Sequence, residues 1–107
     1  MLGKTSTVFH VMKEEHDRLV AAEQLFLSKI DALPQGTPRT KKKGSGEYLY
    51  LNRREGAKVV DEYVGKVDSE KAREVLEQVE KREKLVQQLK QIRLQIKEVK
   101  AVLRGKV

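Results

Sequence analysis

Residues 46–66 read GEYLYLNRREGAKVVDEYVGK. In EYLYLNRR and AKVVDEYV, β-branched and aromatic residues alternate with the period of a strand. Glu55-Gly56 between them reads as a two-residue turn, because glycine tolerates positive φ. With that turn Arg54 faces Ala57, Asn52 faces Val59, Tyr50 faces Asp61 and Tyr48 faces Tyr63. One face then carries Tyr48, Tyr50, Val59 and Tyr63, and the other Leu49, Leu51, Val60 and, near the end, Val64. Slipping the turn by one residue changes these partners. A lone hairpin is marginal in water, so the predicted hairpin over 47–65 needs support from the rest of the chain.

The flanks supply that support as helices. From Ser69, SEKAREVLEQVEKREKLVQQLKQIRLQIKEVKAVLRGK predicts one helix over 69–104, capped by Asp68 or Ser69 and stopped by Gly105. Glu70 and Glu74 suit its positive end, Lys100 and Arg104 its negative end. Leu85, Leu89, Ile92, Ile96, Val99 and Leu103 follow coiled-coil spacing. Upstream, Ala72, Leu76, Val79 and Val86 follow a seam offset by one position, which turns the apolar stripe around the helix. The first half is thus expected to pack on the hairpin and the second on a helix, of the same chain or of a second copy.

The N-terminal segment STVFHVMKEEHDRLVAAEQLFLSKIDAL has Val8, Met12, Leu19, Ala22, Phe26, Ile30 and Leu33 on one helical face. It predicts a helix over 7–33, capped by Thr5, Ser6 or Thr7 and ended by Pro34 and Gly36. The two helices can fold back as an antiparallel pair of about 40 Å and about 53 Å. The longer one then outruns the shorter, and an exposed Leu/Ile/Val seam favours dimerisation. Residues 34–46, PQGTPRTKKKGSG, break the helical period and read as a flexible linker or as a short basic edge strand beginning at Pro38.

The chain has 107 residues, 36% of them charged and 38% hydrophobic, which fits one small domain at 1–107 built largely of solvated helix. It has no cysteine, so disulfides, zinc-thiolate sites and cysteine nucleophiles are excluded. No apolar run is long enough to span a bilayer and the first residues carry no signal-peptide core, so a soluble, cytoplasmic protein is expected. The net charge of +7 is unevenly placed. Residues 39–58 hold seven Lys/Arg against two Asp/Glu, and residues 84–107 hold seven against one, whereas residues 1–38 hold four against five. Both basic stretches are candidate polyanion surfaces.

Catalytic motifs are lacking. His10 and His16 are six apart and do not share a helical face, and there is no nucleophile elbow, Walker loop or dinucleotide fingerprint. A non-enzymatic protein without cofactor or metal is expected. Arg39, Lys41, Lys42, Lys43, Arg53, Arg54, Lys58 and Lys66 concentrate charge in and around the hairpin, where a basic β-ribbon can contact phosphates and enter a major groove. Tyr48, Tyr50 and Tyr63 either stack on unpaired bases or form the local core against the long helix; the core reading is preferred for Tyr50 and Tyr63. Lys90, Arg93, Lys97, Lys100 and Arg104 form a second row, which either tracks phosphates or flanks a coiled coil.

Residues 33–66 also carry a recognisable pattern in Leu33, Pro34, Gly36, Tyr48, Tyr50, Arg54, Glu55, Gly56, Lys58, Tyr63, Val64, Gly65 and Lys66. It resembles small uncharacterised bacterial and archaeal proteins that combine Leu-Pro-x-Gly, Tyr-x-Tyr, Arg-Glu-Gly and Tyr-Val-Gly-Lys before a long helix. That resemblance implies an architecture and no biochemistry. The order strand, turn, strand, Gly-Lys, capped helix is similar to the arm-type DNA-binding modules of tyrosine recombinases, which implies a sheet placed in a major groove.

The expectation is therefore an α+β fold: an N-terminal helix, an antiparallel hairpin of two or three strands, and a long coiled-coil-like helix. Its expected role is to bind nucleic acid, DNA before RNA, through the β element and to form a homodimer, or meet a helical protein partner, through Leu85, Leu89, Ile92, Ile96, Val99 and Leu103. The alternative is a coiled-coil adaptor that binds protein and no nucleic acid. The tyrosines are expected to face the long helix, with Arg53, Arg54 and Lys58 facing outward.

Overall fold

A computed structural model describes residues 2–105, with side chains from residue 7 onward. The elements run α1 (Leu2–Asp31), β1 (Thr37–Lys43), β2 (Gly46–Glu55), β3 (Lys58–Lys66) and α2 (Glu70–Arg104). The fold is α+β, with one antiparallel sheet in the order β1-β2-β3 between the two helices in sequence. No described helix is long and apolar enough to cross a membrane. The chain divides into two compact units: one is Asp31–Lys84, and the other joins the residues up to Ile30 with those from Leu85 on.

In the sheet unit, both connections are two-residue turns with glycine first. Lys43 pairs with Gly46 around Gly44-Ser45, and Glu55 pairs with Lys58 around Gly56-Ala57. Gly44 and Gly56 have φ of 62° and 61°, and among the described residues no non-glycine residue has positive φ. Positive φ at the first loop position alone is the type II′ arrangement, whose twist matches the flanking strands. This corrects the expected register. A turn at Glu55-Gly56 would put glutamate where only glycine is at ease, so the loop moves on by one and Tyr50 meets Tyr63, Asn52 meets Asp61 and Arg54 meets Val59.

The shift leaves each residue on its expected face, but the faces point opposite to expectation. Leu49, Leu51 and Val64 are buried with Ala72 and Val79 of α2, and Val67 and Val75 pack against them. The tyrosines lie on the other face, with Tyr63 55% exposed. Aliphatic side chains bury without a polar group to satisfy, whereas each tyrosine would bring a hydroxyl into a core that, among the described residues, holds no buried polar residue. The stripe on α2 accordingly runs through Val75, and Leu76 is partly exposed. Residues 37–43 form the edge strand rather than a linker, and its edge position tolerates Pro38.

In the helical unit, Leu19 of α1 is buried with Ile96 and Val99 of α2, and Met12, Val20, Ile92 and Leu103 pack around them. Arg93 Nε donates to Glu23 Oε2 at 2.9 Å. Helix α1 runs from Leu2 to Asp31 rather than over 7–33, so Thr7 lies inside it, while the side chains of Thr5 and Ser6 lie outside those described. A single glycine at position 3 costs a helix about 1 kcal/mol and does not stop it. Val8, expected on the buried stripe, is 63% exposed. Ser69 is the cap of α2: its Oγ accepts from the Ala72 N–H at 3.2 Å and donates to the Lys66 carbonyl at 2.6 Å.

Candidate nucleic-acid interface

The strand register decides which side chains share the surface turned away from α2. On β1, Thr37, Arg39, Lys41 and Lys43 pair with Asn52, Tyr50, Tyr48 and Gly46 of β2. On β3, Val59, Asp61 and Tyr63 pair with Arg54, Asn52 and Tyr50. Directly opposed residues point to the same side of a sheet. One face therefore carries three tyrosines among basic residues, with Asp61 its sole carboxylate.

A bulge extends this face. The register shifts between Leu49 and Tyr50, so Tyr50 pairs with Tyr63 but Leu49 pairs with Gly65, leaving Val64 as an extra residue. Val64 turns into the leucine core, Gly65 offers no side chain, and Lys66 comes opposite Tyr48. Without the bulge, the alternation would send Lys66 to the α2 side.

The tyrosines touch each other. The Tyr63 ring lies edge-on to Tyr50 with centroids 5.4 Å apart, and is tilted against Tyr48 at 6.3 Å. Lys41 Nζ sits 4.5 Å from the Tyr50 ring centre and 3.0 Å from Asp61 Oδ2. Asn52 Nδ2 donates to Asp61 Oδ1 at 2.7 Å. Those two donors, Asn52 first, hold the Asp61 carboxyl below its ordinary pKa, helped by the nearby charges of Lys41 and Arg39. A shallow cleft lies among Lys43, Tyr48, Tyr50 and Tyr63.

The predicted basic residues divide into two groups. Arg39, Lys41, Lys43, Arg54 and Lys66 share the tyrosine face. Lys42, Arg53 and Lys58 have the opposite parity, on the side of Leu49 and Leu51. Arg53 was expected to face outward and is instead engaged: its guanidinium bonds Glu55 at 2.9 Å and also Glu62, and only 23% of the side chain is exposed. Those carboxylates, Glu55 foremost, raise its pKa. Lys42 lies 4.0 Å from Glu47. Among the described residues, no carboxylate lies within ion-pair distance of Lys43, Arg54, Lys58 or Lys66.

The second basic row sits in the helical unit. Arg93, Lys97, Lys100 and Arg104 line a groove with His16, Val20 and Glu23, and Arg93 is neutralised there by Glu23. Of the expected oligomerisation seam, Leu89, Ile96 and Val99 are buried, Ile92 and Leu103 pack on the Leu19 cluster, and Leu85 is half-buried. Helix α1 of the same chain covers the Ile92–Leu103 part of this seam, one of the two closures the spacing left open.

Of the eight cations singled out in the sequence, Arg39, Lys41, Lys43, Arg54 and Lys66 share this face, and with them stand the tyrosines, for two of which the core reading was preferred, and Asn52, which was not singled out. A signal was present. In β2 one parity places Leu49 and Leu51 together, whereas Tyr48, Tyr50 and Asn52 of the other each carry a polar group, the pattern of an outward face.

A family model described as a domain of unknown function, DUF6788, matches residues 12–74, which include every residue of the tyrosine face. Neither a curated protein nor a solved structure matches the chain.

Proposed function

The chain belongs to the DUF6788 family, a domain of unknown function, and on its surface chemistry we propose that it is a non-catalytic nucleic-acid-binding protein that uses the tyrosine face of its sheet. One observation carries this reading: among the described residues, Lys43, Arg54 and Lys66 stand without carboxylate partners beside three clustered tyrosines on one exposed sheet face. Cations that keep their charge uncompensated bind phosphates by releasing counterions, and this supplies most of the sequence-independent affinity for DNA or RNA. Arg39 and Lys41 add positive potential but share it with Asp61.

Anisotropy titration of labelled oligonucleotides over a range of salt tests the proposal. Binding is expected at low salt, with the logarithm of the affinity falling linearly with the logarithm of salt concentration. Replacing Lys43 and Arg54 by glutamine lowers that slope by about one for each phosphate contact removed. Arg53→Gln leaves it unchanged, since Glu55 and Glu62 already hold that charge. Failure to bind duplex or single-stranded DNA or RNA at low salt rejects the proposal and leaves the protein-binding adaptor.

A further inference from the structure

Tyr48, Tyr50 and Tyr63 are the only tyrosines in the chain, and there is no tryptophan. All three stand on the sheet face that α2 leaves open, although five aromatic residues are all the chain has for building cores. Tyr63 touches both of the others, so the rings form one continuous patch. Its parts are not equivalent. Lys41 covers the Tyr50 ring. Tyr48 lies across Gly46, where an added Cβ would come within 2.9 Å of the Tyr48 hydroxyl, so the glycine lets the ring settle against the backbone. Tyr63, 55% exposed, presents the most open ring.

We propose that the ligand of this face is a single strand, whose unpaired bases stack on Tyr63 and Tyr48 while Lys43, Arg54 and Lys66 hold its phosphates. The inference rests on the nucleic-acid reading above and narrows it to one class of ligand. In a duplex each base has both faces covered by its neighbours and shows only its edges in the grooves, where arginine, lysine, asparagine and glutamine read them. Clustered tyrosine rings contribute little to such readout. A single strand exposes the faces of its bases, and aromatic rings beside a basic track hold them without regard to sequence. The Lys41–Tyr50 contact fits the same division: that lysine steadies the patch and is tied to Asp61, while Lys43, Arg54 and Lys66 remain available to phosphate.

Because all of the chain's tyrosines lie on this face, the intrinsic fluorescence of the intact protein reports on it alone. Titration with an oligothymidylate of about twelve nucleotides, within the usual footprint of such sites, is expected to quench tyrosine emission, whereas inorganic polyphosphate of matched charge leaves it unquenched. The single strand is expected to bind at least about tenfold more tightly than a duplex of equal length. Tyr63→Leu weakens single-strand binding by about fivefold or more with an unchanged salt slope, and Tyr63→Phe retains it. The exposure of Tyr63 lets both variants fold, which an unchanged circular dichroism spectrum verifies. Equal affinity for duplex and single strand, with Tyr63→Leu indifferent, overturns the stacking inference and leaves nucleic-acid binding standing. No binding of either oligonucleotide overturns both.

Discussion

Asp61 is the one residue of the tyrosine face whose charge opposes a polyanion, and it is also tied into the sheet by Asn52 and Lys41. Its two roles pull Asp61→Asn in opposite directions. Removing the carboxylate takes away a repulsion and frees Lys41, so oligonucleotide affinity at low salt is expected to rise about threefold, the scale of one exposed charge pair. Stability moves the other way. The folded carboxyl titrates below its reference value of 3.8, so its contribution is present above that value and is lost as pH falls through the depressed folded one. Urea denaturation followed from neutral pH down to about pH 3, below the ordinary carboxylate range, should show a shallower acid decline for Asp61→Asn than for the unmodified protein. An identical decline would mean that the Asn52 and Lys41 contacts do not persist in solution.

Among the elements, the junction between β3 and α2 is the most tightly specified. Ser69 closes it twice, capping α2 at Ala72 and bonding back to Lys66, while the Ser69 N–H donates to the same Lys66 carbonyl at 2.9 Å. Ser69→Ala is expected to cost about 1 kcal/mol, read as a lowered midpoint of chemical denaturation, and Ser69→Asp should recover most of it. The elements were largely legible in the sequence because their signals are local: the 3.6-residue period for α1 and α2, the alternation for β2 and β3, and a serine ahead of an apolar run for the cap. What was not legible depends on competition between distant groups. Whether Leu49 or Tyr50 turns inward depends on which face the helix chooses, and the bulge at Val64 appears only once Leu49 and Tyr50 have settled their partners. The true turn was partly readable, since glycine belongs at the first position of a type II′ loop, which places the loop at Gly56-Ala57.

For the molecule as a whole, the seam on α2 matters most, because its spacing fits a dimer as well as an intramolecular helix pair. Leu19 is 2% exposed and packs with Ile96 and Val99. Ile96→Ala is therefore expected to lower stability by about 2–5 kcal/mol, as for other buried truncations, without changing the mass found by sedimentation equilibrium. A lower mass in that variant would return the seam to an interface between copies. The sedimentation result bears on binding as well, since avidity between two linked faces requires a dimer whereas the tyrosine face is complete within one chain.

Helix α2 belongs to two hydrophobic clusters that share no residue: Ala72 and Val79 anchor one, and Ile96 and Val99 the other. A single helix of 35 residues thus has two separate sources of protection for its backbone. Local opening follows the packing that stabilises each stretch rather than the continuity of the helix. Amide hydrogen exchange along α2 should accordingly fall into two classes, and loosening the Leu19–Ile96 cluster should speed exchange around residues 92–103 while leaving residues 72–79 slow. The helix would then be divided in its breathing, so that the sheet could keep its tyrosine face while the helical unit opens and closes.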